Sequence, residues 1–131
     1  MTFRVEEISP IFTKYHLEGP WPFAPVLHKF TDVDNYYPHD HPWGFTSHVL
    51  KGGYVEEVYV PYHDGTWDMI EVERLPGTSH TVKATHIHRM VKLLDGEAWT
   101  LVLAGPEERE FRFWEFDQSG YRSWSWRDMP R

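Results

Sequence analysis

The sequence predicts an all-β domain, a sandwich or barrel built from short antiparallel strands. Three observations carry that expectation. No stretch repeats apolar residues at the 3.6-residue period of a helix. Apolar or alternating runs instead last five to nine residues before Gly, Pro or Asp interrupts them. Aromatic residues make up 17% of the 131, with seven tryptophans, and such side chains suit a pleated, half-buried surface.

Each run has its own boundaries. The first ten residues fit a strand, a short helix or an extended arm. Ile11–His16 and Val26–Phe30 are two strands separated by Gly-Pro-Trp-Pro. Trp43–Leu50 runs into Gly52-Gly53, and Tyr54–Tyr62 follows. His63-Asp64-Gly65 supplies residues that tolerate a left-handed turn before Trp67–Arg74. Pro76-Gly77 ends that strand, and Thr78–Val82 and His86–Leu94 come next. Asp95-Gly96 turns the chain into Ala98–Ala104, which stops at Gly105-Pro106. Phe111–Phe116 and Tyr121–Trp126 flank a turn at Asp117–Gly120. The total is about ten strands at a spacing of roughly 8–12 residues, the pattern of a sandwich or barrel. The Trp124-Ser-Trp126 alternation puts two rings on one strand face, suited to a dry sheet face or a subunit interface.

The bulk composition narrows the class. A chain of 131 residues reads as one domain, with 1–25 an N-terminal arm or strand and 106–131 C-terminal strands. Thirteen basic and 20 acidic side chains give a net charge of −7, and no basic stripe is visible, which argues against a nucleic-acid partner. The acidic balance also disfavours anionic membranes. There is no cysteine, so there is no disulfide, zinc–thiolate cluster or thiolate nucleophile. The first residues, Met-Thr-Phe-Arg-Val-Glu-Glu, show no apolar leader, and a cytoplasmic location is expected.

The chemistry is concentrated in the histidines, of which there are nine. Tyr36 to Phe45 reads Y-Y-P-H-D-H-P-W-G-F, with His39 and His41 two apart between Pro38 and Pro42. Residues two apart in a strand share a face, and flanking prolines lower the entropy lost on fixing the pair. Downstream, His86 and His88 are again two apart on one strand face. His48, seven after His41, falls on the opposite face and is not a candidate ligand.

These stretches resemble the cupin family, the double-stranded β-helix or jelly roll. Its first motif is His-x-His, then a glutamate, then a glycine, and His39, His41 and Gly52 keep that spacing. Its second motif is Gly, five residues, Pro-x-Gly, two residues, His, and Gly77 and His88 keep that spacing. The likeness spans about residues 26–105. Two positions depart from it: Phe45 stands where the family has its glutamate, and Lys83-Ala84-Thr85 replaces Pro-x-Gly. The resemblance implies one divalent transition metal (Fe, Zn, Ni or Mn) on His39, His41 and His88, with His86 in reserve as ligand or pocket residue. It also implies a homodimer. Glu56, on the next strand of the hairpin, either restores the missing carboxylate or supports a ligand from behind. Trp43, Phe45 and Tyr54 are expected to line the pocket. Arg74 and Arg89 could each grip a carboxylate, although Arg89 neighbours His88 and so faces away.

Three neutral imidazoles leave the full +2 charge on a metal, together with open positions. That favours a small anionic chelating ligand, and the cupin resemblance implies a three-histidine iron(II) dioxygenase-like oxidoreductase. A non-enzymatic small-ligand-binding or sensor cupin without metal is the alternative, and a sugar epimerase- or isomerase-like cupin the third. Ordinary histidines would make metal affinity fall below a pH of roughly 6.5.

Overall fold

The computed structural model describes residues 2–20, 24–34 and 36–128. Among them run eleven strands: β1 (Thr2–Ser9), β2 (Phe12–Glu18), β3 (Ala24–Phe30), β4 (Phe45–Lys51), β5 (Tyr54–Pro61), β6 (Trp67–Arg74), β7 (Ser79–Val82), β8 (Ile87–Leu93), β9 (Ala98–Ala104), β10 (Arg112–Asp117) and β11 (Gly120–Ser125). The ten runs legible in the sequence are all strands, and the undecided N-terminal segment is β1, paired along β2. One expectation fails. Trp124 closes β11, whereas Trp126 opens a single 3-10 turn (Trp126–Asp128), so the two rings do not share a strand face. Trp126 instead stacks on Phe111, and Trp124 meets Tyr37 edge-on.

The strands form a six-stranded sheet ordered β1-β2-β3-β9-β4-β7, a three-stranded sheet β6-β5-β8 and the hairpin β10-β11. The pairings between these strands are antiparallel. The core lies between the sheets, where Val49, Tyr54 and Ala98 are buried with Phe30, Met90 and Leu93 packed against them. Strand β9 shows the alternation that places it: Ala98, Thr100 and Val102 are buried, while Trp99, Leu101 and Leu103 are half-buried on the outer face.

The motif glycine of the β4–β5 turn serves the backbone. Gly52 has φ 82°, and a Cβ there would stand 1.8 Å from the Glu97 carbonyl oxygen. Only glycine lets the hairpin pass the β8–β9 turn that closely.

Candidate metal centre

The stretch between Pro38 and Pro42 is a three-residue extended segment laid between β8 and β10. The His39 N–H donates to the His88 carbonyl (3.0 Å), that of Asp40 turns the other way to the Arg112 carbonyl (3.0 Å), and that of His41 turns back to the Ala84 carbonyl (2.9 Å). Alternating N–H directions mean alternating side chains, so His39 and His41 face one side and Asp40 the other. The prolines have no N–H to place, and their carbonyls accept from Trp114 (2.8 Å) and Glu108 (2.8 Å).

His88 joins the pair through the backbone. Its N–H donates to the His39 carbonyl (3.1 Å), closing a two-bond ring between the two motifs. The three imidazoles then converge, with ring centroids 5.3 Å (His39–His41), 5.0 Å (His39–His88) and 4.8 Å (His41–His88) apart. The Nε2 atoms of His41 and His88 are 3.1 Å apart. One ring nitrogen from each of the three lies within 4.8 Å of the others.

A second group shares His88: Glu56, His86 and His88 also gather their donor atoms within 4.8 Å. Here the carboxylate is already engaged. Glu56 is 1% exposed; its Oε1 accepts from Arg74 Nη2 (2.8 Å) and Nε (3.1 Å), and its Oε2 lies 2.7 Å from His88 Nδ1. His86 precedes β8 in a turn closed by its N–H on the Lys83 carbonyl, so it is not a strand residue as the alternation suggested. Its Nε2 is 3.8 Å from Glu56 Oε1, beyond hydrogen-bond reach. A guanidinium on the carboxylate repels a dication, which makes this the poorer of the two groups for a metal.

The other expected residues divide. Phe45 packs edge-on to His41 (5.0 Å) and so stands beside the histidines, whereas Trp43 packs edge-on to Phe45 (5.8 Å), one ring further out. Phe45, with Val82, Ala84 and Arg109, also lines an open surface depression next to them. Tyr54 sits in the core beside Val49 and Ala98, 5% exposed, and burial pushes its phenol pKa up. Arg89 pairs with Glu57 (2.7 Å), the neighbour that alternation puts on the face opposite Glu56. His48 is bonded to Ser79 Oγ (2.5 Å) on the outer face of β4, away from the cluster.

Asp40 is the residue that sequence reasoning passed over. It is 2% exposed, accepts the Arg112 N–H (2.6 Å) and the Trp114 indole N–H (3.0 Å), and pairs with Arg109 (3.0 Å). It pins the back of the segment whose front carries His39 and His41. The signal available was its place between them: strand alternation turns it away from the cluster, and a buried carboxylate there needs partners.

Burial, with the neighbouring His88 and His86 imidazoles adding to it, pushes His39 down to about 3. Burial, with His88 and His39, pushes His41 down to about 2. Both are therefore neutral lone-pair donors far below pH 6.5, and the acid sensitivity expected of ordinary histidines does not apply to them. Burial alone would raise the Glu56 carboxyl, but His86, His88 and Arg74 outweigh it and hold the carboxyl well below its usual range. The cluster suits a divalent transition metal on the chemistry of its donors. At about 2.1 Å per metal–nitrogen bond, two ligands at a right angle stand about 3.0 Å apart, close to the His41–His88 separation.

No protein-family model and no curated protein sequence matches the chain. Solved structures do. Hydroxypropylphosphonic acid epoxidase from S. wedmorenis superposes with TM-score 0.59 at 12% identity, over 79% of this chain and 55% of that one. FeII HppE gives 0.58 at 13%, over 79% and 56%. Momordica charantia 7S globulin gives 0.62 at 10%, over 94% and 35%. The chain thus spans about half the length of the first two. These are cupin-fold proteins, and this chain has the cupin fold, a jelly-roll double-stranded β-helix. Among the described residues no helix is long and apolar enough to cross a membrane.

Proposed function

We propose that this chain binds one divalent transition metal through His39, His41 and His88 and acts on a small anionic chelating molecule, as a three-histidine iron(II) dioxygenase-like oxidoreductase. The observation that carries the reading is the convergence of three imidazoles from two distant motifs. The donor set lacks a carboxylate because Phe45 occupies the motif position and Glu56 is engaged by Arg74. The name of FeII HppE supports iron, while zinc, nickel and manganese suit the same donors. A bound metal would supply Lewis acidity and open positions for ligand or O₂. The protein's part is to keep His39 and His41 neutral and to cover one side of His41 with Phe45, which Trp43 backs.

Anaerobic loading with Fe(II), followed by O₂-uptake measurements across diketones, thiols and phenols, tests the activity. Uptake coupled to one of these classes is expected, and uptake with none would overturn the dioxygenase reading. One observation favours a second reading: the 3.1 Å His41–His88 spacing also suits an N–H···N hydrogen bond in a metal-free binding module. Ligand-induced thermal stabilisation in the presence of chelator would support that alternative. A homodimer is proposed as the assembly. Phe3 and Val5 on β1 are each 61% exposed, on the same outer sheet face as Tyr15 and Leu17 of β2. Light scattering would read twice the chain mass.

A further inference from the structure

The carboxylate missing from the donor set has a counterpart behind it. Glu56 lies on β5, and β5 pairs with β8, the strand that carries His88. The register between the two strands shifts between Val55 and Glu56, where β5 meets Lys92 and then Met90. Glu56 and His88 are therefore neighbours across a two-strand ladder that the core fixes. Glu56 Oε2 is 2.7 Å from His88 Nδ1, while the same ring's Nε2 points at His41, 3.1 Å away. Arg74, on β6, holds the other carboxylate oxygen with two donors, at 2.8 and 3.1 Å. The carboxylate is thus gripped from one side and aimed from the other.

We propose that Glu56, clamped by Arg74, is a positioning residue that fixes His88 as the Nδ1–H tautomer, so that the Nε2 lone pair is presented to His39 and His41. This rests on the metal reading for its purpose but not for its geometry. A carboxylate has only acceptors, so the ring nitrogen facing it carries the proton. In the neutral ring the opposite nitrogen is then bare, as a metal ligand must be. The chain has Phe45 where a coordinating carboxylate would reduce the charge on the metal, and instead sets one against the far side of a ligand. The +2 charge stays available to an anionic substrate, while the ligand becomes more basic and its rotation is locked.

The substitution Glu56→Gln tests this with a reversal rather than a simple loss. The amide oxygen is drawn to Arg74, which offers only donors. The amide NH₂ then faces His88 Nδ1 and requires an acceptor there, which moves the ring proton to Nε2. Two-bond ¹H–¹⁵N correlation spectra of the metal-free full chain read the tautomer directly. The wild type is expected to show His88 as Nδ1–H and Glu56→Gln as Nε2–H, with Zn²⁺ affinity by calorimetry lowered about 10–100-fold. The control Glu57→Gln, one residue along and bonded to Arg89, should change neither. Where Glu56→Gln folds poorly because Arg74 loses its countercharge, the double variant Glu56→Gln, Arg74→Met removes the uncompensated cation. His88 should then lose its single tautomer and show both.

Nε2–H in the wild type would overturn the proposal, as would an unchanged tautomer with Zn²⁺ affinity within twofold in Glu56→Gln. Abolished Zn²⁺ binding in Glu56→Gln alongside intact binding in His39→Ala would also overturn it, because Glu56 would then be a ligand in the second group. If the wild type takes up no Zn²⁺ while the tautomer still reverses, the metal reading fails and the tautomer assignment stands.

Discussion

Asp40 and Trp114 are joined by a hydrogen bond of 3.0 Å from the indole N–H to the carboxylate, across 74 residues of sequence. That bond ties the C-terminal hairpin to the back of the segment carrying His39 and His41. Replacing Asp40 with Ala leaves the Trp114 indole and the Arg112 N–H without this acceptor and takes the countercharge from Arg109, which keeps only long bonds to the His41 and Ala84 carbonyls. A loss of about 2–3 kcal/mol in urea unfolding is expected, the cost of leaving two part-buried donors unsatisfied. Asp40→Asn, which keeps one acceptor oxygen, should lose less.

The β4–β5 turn gives a sharper test of a motif residue. Gly52→Ala puts a Cβ into the Glu97 carbonyl at a left-handed φ of 82°. Denaturant unfolding should register about 2–4 kcal/mol of destabilisation, because backbone must move. Gly96→Ala also has positive φ, but a Cβ there meets nothing within 4 Å, so its cost should be smaller.

Much of the fold could be read from the sequence, because short alternating runs and turn residues are local signals. The ten runs coincide with strands, two of them with the same bounds, Trp67–Arg74 and Ala98–Ala104. The spacing of Gly52, Gly77 and the histidines pointed to His39, His41 and His88, and the three rings do converge. What stayed hidden depends on pairing. That Glu56 meets both His88 and Arg74 follows from the β5–β8 and β5–β6 registers, and that Asp40 meets Trp114 follows from how the hairpin docks. Tyr54, expected to line the pocket, packs in the apolar core instead, a placement set by how the two sheets meet. The histidine pKa values were out of reach for the same reason: depth of burial is a property of the assembled sheets.

Acid should unfold the metal-free protein early. Burial pushes His28 and His39 down to about 3 and His41 to about 2, against about 6.5 in the unfolded chain. Below pH 6.5 the unfolded state binds protons that the native state refuses. The stability these residues contribute is therefore complete above 6.5 and is lost as pH falls toward 3. The slope is up to about 1.4 kcal/mol per pH unit for each histidine. Glu56, held below its usual range, adds a loss of the same sign below about 4.5. Urea midpoints at pH 7.5, 6.0 and 5.0 should drop in that order, and equal midpoints would show that these histidines are protonated in the native state.

Metal affinity should respond to pH more weakly than three ordinary histidines would allow. His39 and His41 already lack the competing proton at pH 5. At most one ligand proton remains to be displaced, so the binding constant should fall by no more than about tenfold per pH unit between 7 and 5. A steeper fall, read by Zn²⁺ titration in buffers of matched ionic strength, would mean that the two buried rings titrate near their ordinary value.

Above all, His39, His41 and His88 should hold a metal. Elemental analysis of untagged protein beside the His41→Ala variant, each as purified and after reconstitution with Fe(II) or Zn²⁺, tests it most directly. About one metal per chain is expected in the wild type and almost none in His41→Ala. Metal-free wild type after reconstitution, or equal metal in both proteins, would contradict it.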